Sequence, residues 1–146
     1  MIQNIVIVDM DGTLADIQHR LHYVTGPGKK RWKQFFRAMD RDEPIDIVVR
    51  WVRSLAPEYI TVIITGRTDE YRKLTEDWLE THGIKYAKLL MRREGDHRPD
   101  TVVKRELLDT VGRERVAFVI DDLPAVCAMY RECGLRVFQV SSGQRR

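Results

Sequence analysis

The chain has 146 residues, 43% of them hydrophobic, and 25 Lys and Arg against 22 Asp and Glu give a net charge of +3. That suffices for one domain with a buried core and excludes disordered, collagen-like and disulfide-stapled classes. No long uncharged apolar stretch reads as a membrane span, and no leader is expected, because the first apolar run meets Asp9 within a few residues. Cys127 and Cys133 fall in one predicted helix and are expected to stay thiols in a soluble, intracellular protein.

In chain order, the first strand signal covers residues 5–9 of IVIVDMDGTL, a β-branched run that stops on Asp9 and Asp11. Gly12 and Thr13 then turn the chain, and backbone N–H groups are expected to be left free to face an anion. Residues 17–57 interrupt the pattern. Here KKRWKQFFRAMD puts Trp32, Phe35, Phe36 and Met39 on one helical face, and PIDIVVRWVRSLA does the same with Ile45, Val48, Val49, Val52 and Leu55. This segment is predicted to be a small helical cap on a core of about 1–16 and 58–146, and its aromatic stripe reads as packing in preference to a base-stacking platform.

Strand signals return at 60–65, 87–91, 116–121 and 136–140. The helices predicted between them carry Tyr71, Leu74, Trp78 and Leu79 and end at Gly83, run from about Asp100 to Val111, and run from Pro124 to Gly134. Alternation of this kind predicts an α/β three-layer domain, a parallel sheet with helices on both faces and its ligand site at the carboxyl ends of the strands.

Four carboxylates end such strands: Asp9 and Asp11 in the first, Asp121 and Asp122 in VAFVIDDL. Anions gathered in one volume repel by kcal/mol-scale energies, so neighbouring strands would call for a cation or shared protons. All-oxygen ligands favour a hard ion, most plausibly Mg2+. A carboxylate at Asp9 can attack phosphorus, and Asp11 can move protons beside it. Thr65 ends VIIT, Gly66 allows close backbone approach, Arg67 offers a guanidinium fork, and Lys104 can neutralise developing negative charge.

The ordered set DxDGT, apolar-Thr, Lys and apolar-DD resembles the haloacid dehalogenase (HAD) superfamily of aspartate-nucleophile phosphotransferases. The resemblance implies a Rossmann-like core, an aspartyl-phosphate on Asp9, Asp11 as general acid/base, Thr65 and Lys104 as phosphate holders, and Asp121 and Asp122, with Asp9 and a main-chain carbonyl of Asp11, as Mg2+ partners. The strings ITGRTDEYRKLTEDWLETHGI, LLMRREGDHRPDTVVKRELL and VIDDLPAVCAMYRECGLRVFQVSSG are similar to the 3′-phosphatase domains of phage polynucleotide kinase-phosphatases. This second likeness nominates Arg20 and Arg67 as holders of the phosphate or nucleic-acid end, and Asp100, one helical turn before Lys104, to orient that amine. It implies a phosphatase of 3′-phosphate or 2′,3′-cyclic phosphate ends, in the cytoplasm of a bacterial or phage-infected cell. No GxxxxGK[ST] phosphate loop occurs in the sequence, so kinase activity is expected only from a separate polypeptide, and a separate kinase or ligase is the expected partner in end repair.

Positive charge bunches in RRWKQFFR-like and MRREGDHR segments and at the terminal QRR, which suits a polyanion and equally suits a solvated surface. Two alternatives stay open: the same chemistry on free nucleotides or another small phosphoester, and a catalytically idle module that binds nucleic-acid ends.

Overall fold

A computed structural model describes residues 2–141, so the basic cluster at Gln144, Arg145 and Arg146 lies outside the described residues. Five strands form one parallel sheet: β1 (Ile5–Val8), β4 (Ile60–Thr68), β5 (Lys88–Arg92), β6 (Val116–Asp121) and β7 (Val137–Gln139), in the order β5-β4-β1-β6-β7. The period-two geometry of a strand sorts the apolar run of β1 between two cores. Val6 and Val8 face α2 (Asp46–Leu55) and α3 (Arg72–Thr81), whereas Ile5 and Ile7 face α4 (Asp100–Val111) and α5 (Pro124–Glu132). Burial on both faces explains why the strands read as unbroken β-branched runs.

The topology places the site. Chain order reverses about β1, whose neighbours are β4 on one side and β6 on the other, and ligands gather at such a switch point. The Asp9 N–H donates to the Ile120 carbonyl at 3.0 Å, which draws the end of β1 against the end of β6. The predicted strands and the helices over Asp100–Val111 and from Pro124 are borne out to within a few residues. The helix before Gly83 also ends where expected, with that glycine at φ +71°, the left-handed conformation that suits glycine. Cys127 and Cys133 are free thiols.

The insertion divides differently from the expected 17–57. Its neck is a two-stranded antiparallel ribbon, β2 (Ala15–Asp16) with β3 (Glu43–Pro44), in the register Ala15 to Pro44 and Asp16 to Glu43. Between these strands lie 3-10 turns over Gln18–Tyr23 and Ala38–Arg41 and one short helix, α1 (Trp32–Arg37). Beyond the neck, α2 is a layer of the core: Val48, Val49 and Val52 are buried in one cluster with Val6, Val8 and Ile63. Amphipathicity alone does not say against what a helix packs, and α2 found the sheet. Met39 is likewise buried, but in the second 3-10 turn.

This placement predicts a contrast within one helix. Val52→Ala, at a buried position, is expected to lower stability by about 2 kcal/mol. Ile47→Ala, at a position 75% exposed, is expected to stay within about 0.5 kcal/mol. Urea denaturation midpoints of the two variants check this.

Candidate active site

Asp9 is fixed by its position after β1 and by the turn that follows. The Met10 carbonyl accepts the N–H groups of Thr13, Leu14 and Ala15 at 3.2, 2.9 and 3.0 Å, and the Gly12 N–H donates to the Ala15 carbonyl. The tight loop therefore uses the N–H groups of Gly12, Thr13, Leu14 and Ala15 internally, so, contrary to expectation, these four do not face an anion. Gly12 sits at φ +81°, and a Cβ there would run into the Asp122 carboxylate. Glycine is thus required twice over, by conformation and by space.

The ends of β1 and β6 bring three carboxylates together. Asp9, Asp121 and Asp122 each offer an oxygen, and these oxygens lie within 4.8 Å of one another. Lys104, buried in α4, donates to Asp9 Oδ1 at 2.9 Å and to Asp121 Oδ2 at 2.8 Å. The Thr13 hydroxyl lies 3.0 Å from Asp9 Oδ2 and 3.3 Å from Asp122 Oδ1. Burial lifts the Asp9 carboxyl well above the usual range, with Lys104 opposing and Asp121 and Asp122 adding to the rise. Burial would lower the Lys104 amine, but Asp9 and Asp121 outweigh it, so the ammonium stays charged. One lysine does not neutralise three carboxylates. All-oxygen donors, close spacing and a raised Asp9 fit a hard divalent cation.

Asp11 stands apart from this cluster. Its Oδ1 accepts from Arg67 Nη2 at 2.6 Å and Nε at 3.0 Å, and from Arg20 Nη2 at 2.9 Å. Burial pushes the Asp11 carboxyl up, yet the charge and hydrogen bonds of Arg67, followed by the charge of Arg20, hold it below the usual range. Its side chain is 27% exposed and offers no oxygen to the acidic cluster, so only its main-chain carbonyl remains to serve an ion.

Behind the arginines lies Asp42, which sequence reasoning missed. Its side chain is fully buried and accepts from Arg20 Nε at 2.8 Å, from Arg20 Nη2 at 2.9 Å and from Arg67 Nη2 at 3.1 Å, with His19 Nε2 at 2.6 Å. The Trp78 indole N–H donates to the Asp42 carbonyl at 2.9 Å. Arg20 itself is wholly buried and stacks over the Phe35 ring at 4.4 Å. The expected role of Arg20 as a direct holder of substrate therefore gives way to a supporting one, since it meets Asp11 from behind.

Arg67 reaches Asp11 because β4 runs on to Thr68 with a register break between Thr65 and Thr68. Such an irregularity re-aims side chains out of the ladder. The Arg67 N–H donates to Thr65 Oγ1 at 3.1 Å. Asp100, expected to touch Lys104, is instead paired with Arg92, and Lys104 is satisfied by Asp9 and Asp121. Arg92 is the second residue missed: it donates to the carbonyls of Gly66, Asp96 and Arg98, folding the 93–100 loop against β4. A Cβ on Gly66 would meet the Asp100 carboxylate, which is why that corner is glycine. Together Asp9, Asp11, Thr65, Gly66, Arg67, Asp100 and Lys104 line one cleft of about 520 Å³, whereas Arg20, Asp121 and Asp122 stand behind or beside its wall.

The β1-centred sheet with its acidic carboxyl edge is the fold of HAD-type hydrolases. An enzyme of that class from Bacteroides thetaiotaomicron, solved with magnesium and inorganic phosphate, matches 97% of this chain and 96% of its own length, with a TM-score of 0.63 at 13% identity. Within that class the chain belongs to the polynucleotide kinase PNKP phosphatase-domain family, whose profile matches residues 3–144. A solved chain of a Pnkp1/Rnl/Hen1 complex is 31% identical with a TM-score of 0.80, covering 99% of this chain and 48% of its own. Another, from a Pnkp1/Rnl/Hen1 RNA repair complex, is 30% identical with a TM-score of 0.77, covering 98% and 44%. The chain thus spans about half the length of these relatives. Among the described residues no helix is long and apolar enough to cross a membrane.

Asp42 supplies the test of this arrangement. Asp42→Asn leaves two buried guanidiniums short of a counter-charge and is expected to cost about 3 kcal/mol of stability. Urea unfolding, beside the matched change Asp46→Asn on an exposed helix turn, measures it.

Proposed function

We propose that the protein is a magnesium-dependent phosphatase that removes 3′-terminal phosphate, or opens and removes a 2′,3′-cyclic phosphate, from nucleic-acid ends. The observation that carries this reading is the cleft itself: in a chain of this family, a buried carboxylate at Asp9 lies between a would-be cation cluster and the phosphate-holding groups Thr65, Arg67 and Lys104.

In this reading Asp9, Asp121 and Asp122 hold Mg2+, with the Asp11 main-chain carbonyl. When bound, the ion screens the repulsion between carboxylate and phosphate and stabilises charge on the transferring group. Asp9 attacks phosphorus and forms an acyl phosphate as the bond to the 3′ oxygen breaks, and Asp11 supplies the proton to that oxygen. Water then attacks phosphorus, Asp11 takes its proton, and inorganic phosphate leaves with Asp9 restored. Thr65 and Lys104 donate to the phosphoryl oxygens.

The ionised Asp11 adds a condition, because a carboxylate paired to Arg67 has no proton to give. An arriving phosphate dianion competes with Asp11 for the Arg67 fork, and loosening that pair lets the Asp11 pKa climb towards the range a general acid needs. Substrate binding and proton loading are then one event. RNA as the polymer, and separate enzymes as partners, are supported by the relatives found in RNA repair complexes.

Purified protein with Mg2+ is expected to release phosphate from 3′-phosphorylated oligonucleotides in preference to 5′-phosphorylated ones and mononucleotides. Equal or better turnover of mononucleotides would refute the polynucleotide reading. Asp9→Asn is expected to cut the rate by at least about 10³-fold with the fold retained. Chelation should stop the wild type, and added Mg2+ should restore it.

A further inference from the structure

We propose that Trp32 is a stacking platform for the nucleobase next to the phosphate removed, an inference that rests on the nucleic-acid reading above. Three rings from two parts of the chain form a ladder. Tyr71 stacks on Phe36, with centroids 5.3 Å apart and planes at 29°, and Phe36 stacks on Trp32 at 5.9 Å and 24°. Trp32 is the outermost rung and is 48% exposed, whereas Phe35, which meets it edge-on at 5.7 Å and 89°, is buried.

The stripe thus splits into two jobs. Phe35 and Met39 pack, while Trp32 and Phe36 line the same cleft as Asp9, Thr65 and Lys104. A large ring half in water on the wall of a cleft of about 520 Å³ shared with Asp9 is not accounted for by packing. A planar base is the chemical class that extends a near-parallel aromatic ladder, and any base will do because each presents a π-face. Lys30 Nζ lies over the Trp32 ring, 5.7 Å from its centre, so a flexible cation now rests on the ring and a base taking its place would keep that charge beside its own phosphates. The platform is also tied to the chemistry, because Phe35 rests on Arg20 and Arg20 binds Asp11. The plane of a stacked base is thereby set relative to the proposed proton donor.

The test compares two 3′-phosphorylated oligonucleotides, one with an ordinary terminal base and one whose terminal sugar is abasic, on wild type, Trp32→Ala and Trp32→Phe. On the base-bearing end, Trp32→Ala is expected to lower kcat/KM about tenfold, carried by KM with kcat little changed, within the range for loss of one base-aromatic stack. Trp32→Phe should recover most of it. On the abasic end the loss should vanish. An equal loss on both ends marks a merely structural role and overturns the proposal, as does no loss on either. Wild-type protein inactive on both ends overturns the functional reading instead, and the platform with it.

Discussion

The site is built on a surplus of negative charge at one sheet edge. Asp9, Asp11, Asp42, Asp121 and Asp122 meet three cations, Arg20, Arg67 and Lys104. Five carboxylates against three cations leave two formal negative charges, which is the charge of one divalent ion. Burial raises the Asp9 carboxyl first of all, and the charges of Asp121 and Asp122 add to that rise. Charges buried without partners cost several kcal/mol each, so the fold must hold this constellation rather than merely permit it. The sheet does so by placing β1 between β4 and β6, and the turn after Asp9 does so by admitting glycine alone beside Asp122.

The constellation separates into two sub-networks with different chemistry. Around Lys104 three clustered carboxylates share one ammonium and the Thr13 hydroxyl. Around Asp11 and Asp42 the groups are locked by two forked guanidiniums, whose planar donors match carboxylates two at a time. The first network belongs to the core strands and α4, and the second is completed by the insertion, since Arg20 and Asp42 lie at its two ends just inside the neck. Folding of the insertion is thereby coupled to the ionisation of a core carboxylate.

Much of this was legible in the sequence where one residue type has one good explanation. Runs such as IVIVD and VAFVIDD announce buried strands ending on acids, and the order of Thr65, Lys104 and the acidic pairs sufficed to bring them to one edge. Asp42 was not legible: in AMDRDEP it is one acid among several charged neighbours, and only the fold shows that its carboxylate is fully buried between two arginines. Arg92 hid for a similar reason, since its partners are mostly main-chain carbonyls, which no side-chain pattern records. The helical spacing of Asp100 and Lys104 permits a contact, but two buried carboxylates outcompeted it for the amine. The spacing of Val48, Val49 and Val52 announces the apolar face of α2 but not that it packs on the sheet, because amphipathicity carries no address.

The ribbon of Ala15–Asp16 with Glu43–Pro44 closes the insertion at its base, and just inside that closure Arg20 grips Asp42. Everything from Leu21 to Arg41 therefore hangs from a neck clamped twice. Loop-closure entropy grows slowly, by about 0.6 kcal/mol for each doubling of length, so the exposed part of a segment held in this way can be lengthened or shortened at small thermodynamic cost. The core does register the inner part of the segment, through Phe35 on Arg20 and Phe36 on Tyr71, but not the exposed turn at Gly26 and Gly28. Such an arrangement lets the outer turn of the segment vary in length while the acid cluster, strand order and lysine stay as they are.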